Sequence, residues 1–320
     1  MLDGSVFAGN TFFFGWEVAL QEWLQALINS PVGIAIVSAM TYMGEELVLI
    51  AVLGVLYWWI DKDFGKFVGM NILVGLVATP MLKNIFFRRR PYFDHESIKI
   101  LKPVDASADI YDISAQGYSF PSGHSTNSAI IYGSLPVYKK HKLLVVLGFV
   151  VPFLVGISRV MLGAHYVTDV LVGWTLGACL LFISSYLQKH VKNQNMMHFI
   201  LALCFMPGLF YCKTTDYFAS YGMMVGYFLA APFEEKFVKF KGTKNPIKGI
   251  LRVIGGAAIY FILNIALKMP FSSEFLSSAT MPSFIVRALR YGIIIFVVIG
   301  VYPLAFDRIG KKKNDEKSDR

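Results

Sequence analysis

Ser158-Arg-Val-Met-Leu-Gly-Ala-His-Tyr-Val-Thr-Asp169 joins two long apolar runs, at 143–162 and 166–187, and sets an arginine, a histidine and an aspartate at the edge of a membrane span. Ionisable groups at that depth are costly and call for a reason. On a helix His165 and Asp169, four residues apart, share a face. The carboxylate then accepts one imidazole N–H and leaves the other nitrogen free to attack. Arg159, six residues before His165, ends the preceding run and can fold back across the short connection to hold an anion beside the histidine. A structural hydrogen bond between His165 and Asp169 is the plainer alternative for this segment alone.

Composition fixes the solvent these groups meet. The 320 residues are 55% hydrophobic and 16% charged, with a mean hydropathy of +0.54, which is too apolar for a soluble protein and predicts a polytopic membrane protein. The net charge of +9 does not indicate nucleic acid, because the lysines and arginines stand between apolar runs and not on a polar, aromatic-rich domain. Cys179, Cys204 and Cys212 fall in apolar runs without metal-ligand spacing, so neither a disulfide framework nor a metal site is expected.

No Lys or Arg precedes Lys62, so the basic start of a cleavable signal peptide is missing and the first span is expected to do the targeting. Trp16 to Ile28 alternates apolar and polar residues at helical period, which predicts a helix lying in the membrane interface. Ser30 before Pro31 marks a helix start, and the run to Ile60 reads as a short helix, a break near Gly44 and one crossing that ends in Tyr57-Trp58-Trp59. Glu45 and Glu46 stand at the break, either as functional carboxylates or as an interfacial cap. Apolar runs at 64–86, 122–138, 143–162, 166–187, 196–212, 216–232, 249–267 and 283–306 bring the expected total to about nine crossings. The expected fold class is therefore all-α, a polytopic membrane helix bundle with an N-terminal interfacial helix. Residues 1–43 should form the interfacial and short N-terminal helices, 44–188 a core with five spans, 189–310 a further four-helix bundle and 311–320 a basic cytoplasmic tail.

Basic residues gather in alternate connections, at Lys62 and Lys66, Lys139 to Lys142, Lys189 and Lys192, Lys236 to Arg252 and after Asp307. Those connections are cytoplasmic by the positive-inside rule, which places the N-terminus and His165 outside and the C-terminus inside a multi-pass cell membrane protein.

Two further segments bring polar chemistry to the same outer boundary. Lys83-Asn-Ile-Phe-Phe-Arg-Arg-Arg90-Pro91 closes a span, and on a helix Lys83 and Arg90 project from one face two turns apart before Pro91 turns the chain. Arg88 and Arg89 read as a basic membrane flank. Tyr118-Ser-Phe-Pro-Ser-Gly-His-Ser125 enters the next span. Pro121 and Ser122 suit a helix start, and Gly123 lets a ligand approach the N-terminal N–H groups, a ready phosphate site. His124 in that first turn can donate to a leaving oxygen beside a bound phosphate, or be an ordinary interfacial residue.

The three segments together resemble the type 2 phosphatidic acid phosphatase superfamily. Its pattern is Lys, six residues, Arg-Pro; then Pro-Ser-Gly-His; then Ser-Arg, five residues, His, three residues, Asp. Lys83, Arg90, Pro91, Pro121, Ser122, Gly123, His124, Ser158, Arg159, His165 and Asp169 supply every position, over about Gly44 to Gln188. The resemblance implies a metal-independent phosphatase that needs no cofactor and works through a phosphohistidine. His165 is then the nucleophile, Asp169 its stabiliser and His124 the acid and later base. Lys83, Arg90, Arg159, Ser122 and Gly123 hold the phosphate oxygens.

The implied substrates are lipid phosphates or diphosphates: polyprenyl diphosphate, phosphatidic acid, phosphatidylglycerol phosphate or sphingoid-base phosphate. A glucose-6-phosphatase-like sugar phosphatase and a non-hydrolytic lipid phosphate carrier are the rivals. The loop from Tyr92 to Tyr118 is a lid, a headgroup selector or a plain solvated loop. Gly222 and Gly226 have a small-residue packing spacing, and the alternatives for the last four spans are a wider lipid groove, support of a homodimer or a separate role. Arg287 and Arg290 read as headgroup anchors or a second phosphate contact.

Overall fold

The computed structural model describes residues 9–306, so the basic tail expected at 311–320 lies outside the described residues. α1 (Gly15–Leu27) and α2 (Pro31–Tyr42) meet at 118°. The bend is set by Ser30, whose Oγ accepts the Gly33 N–H at 3.0 Å, and by Pro31 at the first helical position. α3 (Glu46–Ile60) starts after the break that the sequence places near Gly44 and ends in a π-helical turn from Val55. Then come α4 (Lys62–Phe86), α5 (Gly123–Tyr138), α6 (Lys142–Met161) and α7 (Val167–His190). α8 (Gln194–Phe205), α9 (Thr215–Phe233), α10 (Pro246–Ala266) and α11 (Met281–Phe306) complete the chain. Among the described residues the β-type pairing is a single bridge between Asn10 and Arg88, so the all-helical expectation holds.

Five helices, α4, α6, α7, α10 and α11, are long and apolar enough to cross a membrane, or six if the bent α1–α2 pair is one span. The expected nine crossings are not reached on that measure. α5 has 16 residues and α8 has 12, short of the ~20 that a hydrocarbon core of ~30 Å requires. α1 also differs from expectation. Its polar stripe turns inward, with Glu17 and Gln21 fully buried, while Trp16 and Trp23 are exposed.

The chain forms two compact units, one of the residues up to Leu49 with Val74–Tyr186, the other of Ile50–Leu73 with the chain from Leu187 on. Within the first unit α1 and α2 pack on α6. In that unit α7 lies close against α5, where Gly173 and Gly177 face Ser122, Thr126 and Ala129 with no space for a side chain. In the second unit Gly222 and Gly226 of α9 do the same against the backbone of Ala288 and Gly292 on α11, as their spacing predicts. Tyr57 and Trp58 are core residues of this unit with Tyr260, Ile294 and Val298. Arg290 is buried as well and donates to the Asn264 carbonyl and side-chain oxygens at 3.3 and 3.1 Å.

Candidate active site

The site lies wholly in the first unit. α6 ends at Met161 and the chain reverses through Leu162, Gly163 at φ 78° and Ala164. The Ala164 and His165 N–H groups both donate to the Arg159 carbonyl, which closes the turn between α6 and α7. α7 begins at Val167, which places His165 just before the helix and not on it. The four-residue contact survives: His165 Nδ1 lies 3.4 Å from Asp169 Oδ2. Asp169 reaches it by bending back over its own helix start, where Oδ2 also accepts the Tyr166 N–H at 2.8 Å.

Three residues outside the expected set complete this arrangement. Ser119 Oγ sits 3.3 Å from His165 Nδ1 and donates to Asp169 Oδ2. Arg88 NH1 donates to Asp169 Oδ1 at 2.6 Å, and Arg88 NH2 to Glu17 Oε2 at 3.2 Å. Arg88 is therefore no membrane flank; it is 1% exposed, between two buried carboxylates. Arg89, read the same way, pairs with Asp94 at 2.5 Å. Ser119 stands two residues before Pro121 and was legible as a neighbour of that motif. Glu17 and Arg88 carried no local signal, being 71 residues apart in sequence.

Lys83 is in the last turn of α4. Phe87 at φ 51° breaks the helix, and Arg90 is extended at φ −77°, so Lys83 and Arg90 do not share a helical face as expected. They converge nonetheless, because both bear electrostatically on His165, together with Arg159. Arg90 is 3% exposed and donates to the carbonyls of Gln116 (3.0 and 2.6 Å), Gly117 (3.0 Å) and Ala164 (2.9 Å). It thus ties the 92–118 loop to the residue before His165 and keeps two of its five N–H donors for a ligand. Burial pushes its pKa below the usual guanidinium value. Arg159 NH1 donates to Thr41 Oγ1 at 3.0 Å, and its buried Nε has no partner among the described residues. The buried Tyr92 hydroxyl is likewise without one, and it stands within electrostatic reach of Arg90 and Arg159. Such orphaned donors are costly unless a ligand accepts from them.

Ser122 caps α5 as predicted: its Oγ accepts the Ser125 N–H at 3.4 Å, and the Ser125 hydroxyl at 2.9 Å. Its N–H goes to the Asp169 carbonyl at 3.0 Å, which docks α5 on α7 and leaves the Gly123 and His124 N–H groups as the first-turn donors. His124 packs beside Gly44, where an added Cβ would lie 3.4 Å from the ring. Arg159, His165, Lys83 and Arg90 all reach it electrostatically.

His165 is 2% exposed, and its pKa is held well below the ordinary histidine value, first by desolvation and then by Arg90, Arg159 and Lys83. The ring is neutral at pH 7. With Asp169 and Ser119 at Nδ1, the Nε2 lone pair is the one left to react. The 92–118 loop is docked firmly: Lys102 pairs with Glu45 at 2.5 Å, Gln25 bonds the Lys99 carbonyl at 2.7 Å, and Leu101 N–H donates to Leu162 at 3.0 Å. Glu45 therefore anchors the loop. Among the described residues no three of His, Cys, Asp and Glu gather as metal ligands.

Comparison with known proteins covers both parts of the chain. Residues 64–193 match the model of the PAP2 superfamily, and residues 218–314 match that of the PAP2 superfamily phosphatase, transmembrane extension. Phosphatidylglycerophosphatase B of Bacillus subtilis is 45% identical over 85 residues, 24% of this chain and 42% of that protein. This chain thus spans less than half of that relative's length. Decaprenylphosphoryl-5-phosphoribose phosphatase of Mycobacterium tuberculosis is 30% identical over 172 residues, 51% of this chain and 85% of that protein. The crystal structure of a PAP2-type phosphatidylglycerolphosphate phosphatase from Bacillus subtilis is 28% identical, covering 56% of this chain and 90% of its own, at a TM-score of 0.41.

Proposed function

We propose, since the chain belongs to the PAP2 superfamily, that it hydrolyses a lipid phosphate or diphosphate at the outer membrane face without a metal, through a phosphohistidine on His165. One observation carries the reading: a buried neutral histidine has Nδ1 held by Asp169 and Ser119, while Lys83, Arg90 and Arg159 direct positive charge at it. That is a nucleophile inside an anion site.

His165 Nε2 attacks the terminal phosphorus, and the P–O bond to the leaving oxygen breaks. That oxygen belongs to the lipid alcohol in a monophosphate and to the lipid phosphate in a diphosphate; His124 passes its proton to it, while Asp169 stabilises the charge on the imidazole. Lys83, Arg90, Arg159 and the α5 N-terminal N–H groups hold the equatorial oxygens, where charge concentrates. Water then attacks phosphorus as His124 takes its proton, the P–N bond breaks, and phosphate leaves with His165 restored. A lipid substrate is supported by the apolar helices that carry Lys83, Arg159 and Asp169, and by relatives named for phosphatidylglycerophosphate and a decaprenyl-linked phosphate.

The test is phosphate release by the purified protein, with EDTA present, from polyprenyl diphosphate, phosphatidic acid, phosphatidylglycerol phosphate, sphingosine phosphate and glucose 6-phosphate. One lipid is expected to be cleaved far faster than the sugar phosphate, with His165→Ala inactive. Equal cleavage of glucose 6-phosphate would favour the sugar phosphatase, and lipid binding without release would favour the carrier.

A further inference from the structure

We propose that α1 is part of the catalytic apparatus, with Glu17 acting as a positioning residue for Asp169 through Arg88. The inference rests on the reading of His165 and Asp169 given above, and it concerns a helix outside residues 64–193, where the family match lies.

Glu17 is 0% exposed, and its carboxylate is fully engaged. Oε1 accepts the Thr168 N–H at 2.8 Å and the Thr168 hydroxyl at 2.6 Å. Oε2 accepts from Arg88 NH2 at 3.2 Å and from the Phe14 N–H at 3.0 Å. Arg88 NH1 in turn bonds Thr168 Oγ1 at 2.8 Å and Asp169 Oδ1 at 2.6 Å. Glu17, Arg88, Thr168 and Asp169 therefore close a ring around the first turn of α7. The guanidinium is fixed from its faces, with its carbon 4.0 Å from the Tyr166 ring centroid and 4.6 Å from that of Phe12. One turn along α1, Gln21 Nε2 donates to the carbonyls of Val160 at 2.8 Å and His165 at 3.3 Å. The face of α1 that reads as a polar interfacial stripe thus holds the orienter through Glu17 and the nucleophile's backbone through Gln21.

The charge balance gives Glu17 a role beyond packing. One guanidinium is shared by two carboxylates, so Glu17 limits how far Arg88 neutralises Asp169. When His165 attacks, its ring gains positive charge, and an Asp169 that keeps its negative charge stabilises it best. Removing the charge at Glu17 leaves Arg88 to Asp169 alone and weakens that stabilisation. Lys83, Arg90 and Arg159 are untouched, so substrate binding is retained.

The experiment compares wild type, Glu17→Gln and Glu17→Asp as full-length protein, using the lipid phosphate cleaved fastest, and measures kcat, KM and thermal unfolding. Glu17→Gln keeps the shape and an acceptor for Thr168 while losing the charge. Its kcat is expected to fall about 10- to 100-fold, the range for partners that orient a reactive ligand, with KM within about twofold. Glu17→Asp should recover part of that loss. Gln21→Met, which removes the donor to the His165 carbonyl, should lower kcat in the same sense and supplies a second reading if Glu17→Gln fails to fold. Wild-type kcat in Glu17→Gln overturns the proposal, as does a loss that Glu17→Asp leaves unrelieved and that only follows a lowered melting temperature. A wild type that releases no phosphate from any substrate overturns the functional reading itself, which distinguishes the two failures.

Discussion

Replacing Arg88 by Met leaves Glu17 and Asp169, both 0% exposed, without the cation they share. Breaking a buried ion pair from one side costs about 3–5 kcal/mol, because a charge stays buried without compensation. For a domain of 150–250 residues each kcal/mol moves the melting temperature by about 2–4 °C, so the Arg88→Met protein should unfold roughly 6–20 °C below wild type. The assay is thermal unfolding in one detergent, with phosphate release measured below both transitions. Release should also fall, because Asp169 loses the partner that fixes Oδ1 while Ser119 and the Tyr166 N–H hold only Oδ2. Arg88→Lys should lie between the two, since a point charge does not span both carboxylates as the fork does. A basic membrane flank would behave otherwise. A shift under about 1 °C with wild-type release would place Arg88 among surface substitutions and refute the buried network.

Further outcomes follow from the same geometry. Because burial and three cations hold His165 below its usual value of 6.5, the acid limb of kcat/KM set by the nucleophile should lie below pH 6.5, and a limb above it contradicts the neutral resting state. Unfolding frees His165 to bind a proton near pH 6.5 while the folded protein does not, so stability from this group is present above that pH and lost as pH falls below it. Tyr92→Phe should raise KM several-fold if its hydroxyl meets the substrate, with kcat nearly unchanged; an unaltered KM removes it from the site. Lys102→Met breaks an ion pair whose side chains are 22% and 34% exposed, so unfolding should shift by under about 1 kcal/mol. Gly226→Val drives a side chain into the Gly292 backbone and should cost about 1–3 kcal/mol, read by thermal unfolding, whereas an unchanged transition would mean that α9 and α11 separate easily.

The candidate site residues stood out in the sequence because their signals are local. A break near Gly44, the Ser122 cap and the four-residue step from His165 to Asp169 follow from short-range geometry. What was not legible depends on partners far away in the chain. Arg88 looks like a flank until Glu17 and Asp169 close on it, and Glu17 looks like the polar side of an interfacial helix until Arg88 and Thr168 do. Lys83 and Arg90 were expected on one helical face, but left-handed Phe87 ends the helix between them. The count of nine crossings is not reached by helix length and composition, for a related reason. An apolar run signals burial in lipid or in protein alike, and helices such as α5, with 16 residues, are shorter than a span needs.

The central claim is that phosphate passes through His165. It is tested most directly by mixing the protein with its lipid substrate labelled at the phosphate, quenching within the first turnover, and mapping the label. The account predicts an acid-labile, base-stable phosphoryl group on the peptide that contains His165, absent from His165→Ala. Label elsewhere, or phosphate release by His165→Ala at the wild-type rate, would contradict it.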